Sequence, residues 1–382
     1  MLSQTGDILA TLIAFDTTSR NSNLELIQWV EAYLAEHGVA ATRVPNGDGD
    51  KANLYATIGP AVEGGVILSG HSDVVPVDGQ DWSSDPFVLS EREGKYFGRG
   101  TCDMKAFIAL ALAAVPLFVK GAKPVHLAIS YDEEVGCTAV LPMIAEMAER
   151  VPPPRLAIIG EPSMMTIVNG HKGIATFEVE ILGHEAHSSL THLGVSANME
   201  AAKLMHALVG LAGELEAQGD PDTPFVPPHA TLTIGRMEGG TAGNILARRA
   251  WFLFDLRCPP GIDAAAVIPP FAARVEALDG ELKARFADAG ARLTRRSNAP
   301  PLVPQAGGDA EAFVRQLTGD NAPAGAVAYA AEAGQFQRGG FASVICGPGS
   351  IEQAHQPDEF IAIEQVERGA GFMVRLAEAL RG

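Results

Sequence analysis

Short runs of consecutive apolar residues recur along the chain, separated by segments in which apolar residues recur every three or four positions. The second pattern is that of helices with one buried face. Continuous apolar runs between such helices are typical of parallel strands buried on both faces of a sheet. The runs are residues 53–59, 66–69, 125–131, 156–159 and 343–346, and the helical segments include 4–38 and 107–119. We therefore predict an α/β fold with a mixed, mostly parallel sheet flanked by helices.

The middle of the chain has a different pattern, in which apolar and polar residues alternate as they do in half-exposed strands. Strand-like segments cover residues 174–182, 230–237, 250–256 and 291–295, and helical segments cover 197–217 and 263–287. The resulting order βαββαβ is that of a ferredoxin-like unit. We predict that residues 174–296 are a domain inserted into a larger one, which would comprise residues 1–173 and 297–382.

Length and charge limit the possible functions. The chain has 382 residues, more than one globular core usually holds, so two domains are expected. Its 28 Lys and Arg against 46 Asp and Glu give a formal net charge of −18, which argues against a nucleic-acid partner. The N-terminal segment has no signal-peptide pattern, and the most apolar stretch is too short to span a bilayer. The four cysteines form no CxxC pair. We therefore expect a cytoplasmic protein with reduced thiols that contacts no membrane.

Histidine and carboxylate side chains follow the ends of four of the predicted strands. In an open parallel sheet, ligands bind beyond the carboxyl ends of the strands, so these side chains should converge there. The residues at strand ends are His71, Asp73, Glu133, Glu134, Glu161 and His355, and Asp103 directly precedes the most apolar helix. Four independent strand ends with such residues predict a single polar site at one edge of the sheet.

Carboxylates gathered in one cleft repel each other unless protons or cations neutralise them. Two divalent cations would balance the four negative charges of Asp103, Glu133, Glu134 and Glu161. Mixed histidine and carboxylate ligands suit Zn²⁺, with Co²⁺ or Mn²⁺ as substitutes, and a pair of ions is typical of hydrolases that activate water. Glu133 would then accept the proton of that water as general base. Asp73, two residues past His71, is placed to bond the other ring nitrogen of that ligand.

Some of these residues have simpler explanations. Glu133 and Glu134 could begin a solvated helix, because acidic residues favour a first helical turn. Cys102 and Cys137 lie beside the predicted site, but cysteines are commonly small buried fillers, so both are left out of the catalytic set. The string from His184 to His187 is one residue short of the HExxH zinc motif. The absence of GxSxG and P-loop patterns disfavours a serine hydrolase or a nucleotide-binding enzyme.

The motifs HSDVVPV, GRGTCDMK, DEE, GEPS and AHQPDE occur in this order along the chain. Together they resemble the M20 family of metallopeptidases and deacylases over nearly the whole chain. The segments AHSSLTHLGVSAN and EAGQFQ, with the run CGPGSIEQAHQPDEF, are most similar to the acetylornithine deacetylase branch of that family. The resemblance implies a metallopeptidase-type catalytic domain with an inserted domain that mediates dimerisation.

The resemblance also implies roles for the matching residues. One ion would be held by His71, Asp103 and Glu161, and the other by Asp103, Glu134 and His355, with Asp103 bridging the two. Glu133 would be the general base, and Asp73 would support His71. His187, in the inserted domain, would reach the active site of a partner subunit and stabilise the oxyanion.

The remaining implied roles concern the substrate. Asn244 and Arg257 would bind it, with Arg257 taking its α-carboxylate. A guanidinium fork suits a carboxylate geometrically, although Arg257 could also be an ordinary surface residue of its strand.

The resemblance implies a homodimeric hydrolase that uses two divalent metal ions, zinc or cobalt, to cleave the amide bond of an N-acyl amino acid. The expected substrate is N²-acetyl-L-ornithine, cleaved to L-ornithine and acetate in arginine biosynthesis. Succinyl-diaminopimelate desuccinylase and general aminoacylase are alternatives with the same chemistry. A non-catalytic metal- or amino-acid-binding protein is a third reading, which the intact Glu133 disfavours. Glu332, in the EAG segment, is a candidate to meet the substrate amine only because that segment carries the resemblance.

Overall fold

The computed structural model describes residues 1–305 and 307–381, which divide into two compact units. The first unit comprises Met1–Gly170, Leu302–Ala326 and Ala331–Gly382. The second comprises His171–Pro301 together with the short segment Val327–Ala330. The sequence pattern did not foresee that this short segment joins the second unit.

Strands and helices alternate along most of the described chain. The strands are β1 Ala41–Pro45, β2 Ala52–Ile58, β3 Val66–His71, β4 Ser90–Arg92, β5 Lys95–Phe97, β6 Val125–Ser130, β7 Leu156–Pro162, β8 Val168–His171, β9 Gly173–Leu182, β10 Thr231–Gly239, β11 Arg249–Cys258, β12 Gly290–Ala299, β13 Gly325–Val327, β14 Ser343–Gly347 and β15 Phe360–Ala362. The helices are α1 Leu2–Ala14, α2 Leu24–Glu36, α3 Ala106–Ala113, α4 Val115–Phe118, α5 Leu141–Arg150, α6 Ala197–Ala217, α7 Ala264–Val267, α8 Pro269–Arg285, α9 Asp309–Thr318, α10 Ala333–Arg338 and α11 Ile363–Ala379.

The first unit is built on an eight-stranded sheet in the order β1-β2-β6-β3-β7-β14-β8-β13. Strand β3 pairs in parallel with β6 and β7, and β14 pairs in parallel with β7, whereas β1 and β2 are antiparallel. The four central strands are four of the five apolar runs of the sequence, and all their residues are buried. The fifth run, residues 53–59, forms β2, which is antiparallel to both of its neighbours and not parallel as expected. The predicted mixed, mostly parallel sheet is confirmed.

Two helical predictions differ from the structure in detail. The segment 4–38 forms two helices, α1 and α2, and Gly38 follows the second with a positive φ of 72°. The apolar segment 107–119 is divided into α3 and α4, with Pro116 in the first turn of α4. Proline cannot continue a helix from the preceding residues because it lacks an amide hydrogen and its ring clashes with the turn before it. All residues of α3 are buried. No helix among the described residues is long and apolar enough to cross a membrane.

The second unit has the predicted βαββαβ order, and its antiparallel sheet has the strand order β10-β11-β9-β12. Residues of β9 and β11 alternate between buried and half-exposed positions, which fits one face covered by α6 and α8. Phe252 and Phe254 lie in the core of this unit. Strand β10 lies at an edge of the sheet, and most of its residues are exposed.

Candidate active site

Adjacent parallel strands bring three of the predicted ligands to the same edge of the sheet. His71 is the last residue of β3 and is in register with Ser130, the last residue of β6, after which Glu133 and Glu134 follow. Glu161 lies near the end of β7, the other neighbour of β3. The convergence predicted from strand ends is therefore present in the structure.

Helix α3 packs closely behind this edge. A Cβ atom at position 160 would lie 2.0 Å from the ring of Phe107, so only glycine allows the helix to approach β7 beside Glu161. Asp103 lies in the short helical segment Thr101–Lys105 that leads into α3, and the peptide bond after it is cis. His355 lies in the segment between β14 and β15.

Asp103 lies between the two histidines and directs one carboxylate oxygen to each. Its Oδ1 atom is 2.9 Å from His71 Nε2, and its Oδ2 atom is 3.4 Å from His355 Nε2. The same His355 nitrogen is 3.0 Å from Glu134 Oε2, and His71 Nε2 is 3.9 Å from Glu161 Oε1. The contacts thus form two groups that share Asp103, as expected for a bridging ligand.

The protonation of these residues reflects carboxylates crowded into a buried cleft. Burial and the charge of Asp103 raise the pKa of Glu161 well above its usual value and that of Glu134 to about 8. Burial lowers the pKa of His71, but Asp103 and Glu161 outweigh this effect and leave it well above the usual value. Hydrogen bonds to Asp103 and Glu134 raise the pKa of His355 to about 10. Without cations, the cluster therefore retains protons on its ligand atoms.

This donor set fits divalent cations, which would replace those protons. Candidate ligand atoms of His71, Asp103 and Glu134 lie within 4.8 Å of one another, as do those of His71, Glu133 and Glu161. Glu134 Oε1 is buried and has no hydrogen-bond partner among the described residues, so it is available as a ligand. The group of His71, Glu133 and Glu161 places Glu133 within ligand range as well. Metal binding and general-base catalysis by Glu133 are therefore separate hypotheses.

Asp73 does not bond His71 in the predicted way. His71 Nδ1 lies 2.9 Å from the backbone oxygen of Asp73, whereas the nearer carboxylate oxygen is 3.7 Å away. The carboxylate instead accepts hydrogen bonds from Ser19 Oγ at 2.7 Å and from the backbone amides of Glu133 and Glu134 at 3.1 and 3.3 Å. Asp73 therefore fixes the segment that carries the two glutamates, and its backbone orients the histidine.

Glu133 contacts Cys137, a residue that was not expected to belong to the catalytic set. The thiol of Cys137 is 3.0 Å from Glu133 Oε1, and Gln335 Nε2 donates to the backbone oxygen of Cys137. Burial raises the pKa of the thiol well above its usual value, so it remains a proton donor. Burial also raises the pKa of Glu133 to about 6. The spacing of four residues between Glu133 and Cys137 was a signal that could have indicated this contact.

Glu332 is buried and does not present its carboxylate to solvent. It is 2% exposed, and its Oε2 atom accepts a hydrogen bond of 2.9 Å from Ser130 Oγ. Its burial raises its pKa to about 8. This placement, behind the end of β6, gives no support to the suggestion that Glu332 meets the amine of a substrate.

The second unit brings His187 and Asn244 onto two paired segments. His187 forms an antiparallel bridge with Ile245, and the backbone amide of Ser188 donates to the backbone oxygen of Asn244 at 2.9 Å. The backbone amide of Ser189 is 3.2 Å from His187 Nδ1, which therefore acts as an acceptor. In a neutral ring this contact places the proton on Nε2, where it can be donated. His187 and Asn244 are both exposed.

Arg257 lies elsewhere in the same unit, one residue before the end of β11. Its Nε atom donates to Asp255 Oδ2 at 2.9 Å, and 36% of its side chain is exposed. Asn244 and His187 belong to loops at the opposite end of this strand, near Arg249, which pairs with Leu182. The three residues predicted to act on the substrate are therefore not all brought together within one copy of the second unit.

Comparisons with known proteins agree with this architecture. The model of the Peptidase family M20/M25/M40 matches residues 67–379. The acetylornithine deacetylase of Myxococcus xanthus is 32% identical over 375 residues, which cover 96% of this chain and 95% of that protein. An M20 family metallo-carboxypeptidase from Sulfolobus solfataricus has a similar fold, with a TM-score of 0.78, 18% identity and 98% coverage of both chains.

The YXEP protein of Bacillus subtilis, a dinuclear metal binding peptidase from the M20 family, also shares the fold, with a TM-score of 0.59 and 14% identity. The alignment covers 100% of this chain and 98% of that one. The family match and the full-length relative assign the chain to this family. The cluster around Asp103 supplies the histidine and carboxylate groups that a metal-dependent hydrolase needs. The chain belongs to the M20/M25/M40 peptidase family and is a metal-dependent amidohydrolase.

Proposed function

We propose that the protein hydrolyses the amide bond of an N-acyl amino acid, and that its substrate is N²-acetyl-L-ornithine, which yields L-ornithine and acetate. The observation that carries amide hydrolysis is the convergence of two histidines and two glutamates on Asp103, with Glu133 beside them. The choice of substrate is supported by the full-length similarity to the acetylornithine deacetylase of Myxococcus xanthus. Arginine biosynthesis in the cytoplasm is the corresponding pathway and location.

His71, Asp103 and Glu161 would hold one divalent cation, and Asp103, Glu134 and His355 would hold the other. We propose zinc, with cobalt as a substitute, because nitrogen and carboxylate ligands without a thiolate suit either ion at a catalytic site. Such ions supply Lewis acidity, which makes water a better nucleophile and polarises an amide carbonyl.

Glu133 would accept the proton of the attacking water and deliver it to the departing amine. A general base works best when its pKa lies near the working pH, and burial raises the pKa of Glu133 above its ordinary value in the metal-free protein. The thiol of Cys137 holds one oxygen of the carboxylate, Oε1, by a hydrogen bond. The carboxylate of Asp73 accepts a hydrogen bond from the backbone amide of Glu133. Glu133 is thus oriented from both its side chain and its main chain.

The separation between His187 and Arg257 supports a homodimer. Strand β11 runs from Arg249, near the His187 loop, to Cys258, next to Arg257. Eight residues of extended strand span roughly 26 Å, which is longer than an acetylated amino acid. One copy of the unit therefore cannot bring both residues to the same small substrate. In our proposal Arg257 serves the active site of its own chain, while His187 and Asn244 serve the active site of the partner.

Arg257 would bind the α-carboxylate of the substrate. Its guanidinium is partly exposed and is oriented through Nε by Asp255. A guanidinium presents further N–H groups in a plane, which suits two parallel bonds to a carboxylate. His187 would donate from Nε2 to the oxyanion that forms when the carbonyl is attacked. Hydrogen bonds of this kind are effective because they strengthen as the negative charge develops.

A substrate comparison tests the proposal. Purified protein with added Zn²⁺ or Co²⁺ is assayed for kcat/KM on acetylornithine, acetylmethionine and succinyl-diaminopimelate. We expect acetylornithine to be preferred by at least tenfold. Preference for acetylmethionine or for the succinylated substrate would assign the chain to a general aminoacylase or to a desuccinylase. No turnover of any N-acyl amino acid would contradict the proposed function and leave a binding protein.

A further inference from the structure

Glu359 is a buried carboxylate next to the metal ligands that the chemistry described above does not use. It is 1% exposed. Its Oε2 atom accepts hydrogen bonds from Arg99 Nη1 at 2.7 Å and from the amide of Gly100 at 2.9 Å. Its Oε1 atom accepts from the amides of Cys102 and Asp103 at 2.8 and 3.0 Å. An ionised carboxylate offers about four acceptor positions, so this side chain is saturated.

The partners of Glu359 carry the bridging aspartate. The amides of residues 100, 102 and 103 all point at one carboxylate, which fixes the backbone where the chain turns into α3. Asp103 itself has φ −120° and ψ 88°, which are not helical values, so no regular helix determines its position. The Glu359 side chain supplies the hydrogen bonds that a regular element would otherwise provide.

The same group also fixes the segment of His355. Glu359 follows His355 by four residues. Arg99, the ion-pair partner of Glu359, donates from Nη1 to the backbone oxygen of Gln356 at 3.3 Å and from Nη2 to Gln80 Oε1 at 2.5 Å. Gln80 in turn donates from Nε2 to the backbone oxygen of His355 at 3.0 Å. The Arg99–Glu359 pair therefore joins two ligands that are far apart in sequence.

We propose that Glu359 is a positioning residue whose carboxylate joins the Asp103 and His355 segments and thereby determines the affinity of the site for its second ion. This inference rests on the two-ion site of the proposed function. Of the three ligands Asp103, Glu134 and His355, two lie on segments that Glu359 and Arg99 hold. Of the three ligands His71, Asp103 and Glu161, only one does. Loss of the carboxylate should therefore weaken the ion at His355 more than the ion at His71.

The unequal effect on the two ions separates this role from a purely structural one. A general loss of stability would lower both affinities or neither, whereas the contacts predict a selective loss. Outer groups that orient metal ligands typically change metal affinity by 10- to 100-fold when they are removed. We expect a loss of this size for one ion only.

In the test, metal-free full-length protein is titrated with Co²⁺. Binding is monitored by calorimetry and by the visible spectrum of the bound ion. In Glu359→Gln we expect the first equivalent to bind within about threefold of the wild type and the second at least tenfold more weakly. The matched control is Glu311→Gln, which removes a carboxylate paired with Arg315 in the same unit. This control should bind both equivalents as the wild type does.

Unchanged affinity for both equivalents in Glu359→Gln, or an equal loss for both, would overturn the proposal. If that variant does not fold, Glu359→Asp retains the charge opposite Arg99 but is one methylene too short to reach all its donors. It is expected to show the same selective loss, and equal losses would again be contradictory. The titration uses no substrate, so it decides on Glu359 even if no N-acyl amino acid is hydrolysed. If the wild type hydrolyses acetylornithine but Glu359→Gln shows no selective loss of affinity for the second ion, the proposed function stands and the role of Glu359 is contradicted.

Discussion

At the scale of single residues, Glu133 and Glu134 are adjacent in sequence but have different surroundings. Glu134 contacts His355 and has a buried oxygen without a hydrogen-bond partner among the described residues. Glu133 contacts the thiol of Cys137 and lies within ligand range of His71 and Glu161. The first environment suits a metal ligand, and the second suits either a base or a ligand.

Replacement of Glu133 by alanine decides between these roles. As a general base it should contribute about 10²- to 10⁴-fold to turnover, so Glu133→Ala should lose activity by that factor. Its metal content, measured by atomic emission after dialysis, should remain at the wild-type value. A variant that loses metal together with activity would show that Glu133 is a ligand and that the roles of the two glutamates are reversed. Glu134→Ala is the comparison that should lose metal.

The Cys137 thiol provides a second test at this scale. Cys137→Ala removes the donor to Glu133 Oε1, and one hydrogen bond of about 1 kcal/mol corresponds to a roughly fivefold lower kcat. Cys137→Ser keeps a donor and should recover part of the loss, with KM unchanged in both variants. Cys346→Ala is the matched control, because Cys346 is also buried but lies in the strand β14. An equal effect at both cysteines would indicate lost packing instead.

At the scale of elements, apolar runs were sufficient to predict the central strands, because both faces of β3, β6, β7 and β14 are buried. The metal-type residues at the ends of these strands could be predicted for the same reason, since parallel neighbours end at the same edge. The contacts of Asp73 and Glu359 could not, because they depend on hydrogen bonds between segments that are distant in sequence, which leave no periodic pattern. The contact of Cys137 with Glu133 is local, and its spacing of four residues is a signal in the sequence.

Strand β6 also carries a buried histidine whose titration should affect stability. His126 is fully buried, and its burial lowers its pKa to about 4 from the ordinary 6.5. Above pH 6.5 neither the folded nor the unfolded state is protonated there. As the pH falls from 6.5 towards 4, only the unfolded state takes up the proton, so stability is lost at about 1.4 kcal/mol per pH unit for this group.

The measurement is the free energy of unfolding by urea at pH 7, 6, 5 and 4.5, compared between the wild type and His126→Gln. The variant should lose less stability on acidification than the wild type, although it can be less stable at pH 7. His229→Gln, at a half-exposed position, serves as the control and should follow the wild type. Parallel curves for wild type and His126→Gln would refute the assigned shift.

At the scale of the whole molecule, we propose that two chains complete each active site. The βαββαβ order of the second unit could be predicted from alternation. The separation of His187 from Arg257 could not, because it depends on the pairing of the His187 segment with Ile245, just before β11, whereas Arg257 lies near the end of that strand. The exposed edge strand β10 is a surface on which a second copy could pair.

Mixing two inactive variants tests the exchange of residues between chains. His187→Ala and Glu133→Ala should each be nearly inactive alone. If His187 acts in the partner's site, a mixed dimer contains one complete site, and random mixing should restore about a quarter of wild-type activity. Refolding of each variant alone under the same conditions is the control. No recovery on mixing, with dimers demonstrated by light scattering, would place His187 in the active site of its own chain.

We propose that two divalent ions at the Asp103 cluster enable hydrolysis of an N-acyl amino acid. The most direct measurement is the release of acetate from acetylornithine by metal-free protein as Zn²⁺ or Co²⁺ is added in known equivalents. We expect negligible release of acetate without metal and a rise that reaches its maximum near two equivalents per chain. Full activity in the metal-free protein, or no release of acetate at any amount of either ion, would contradict it.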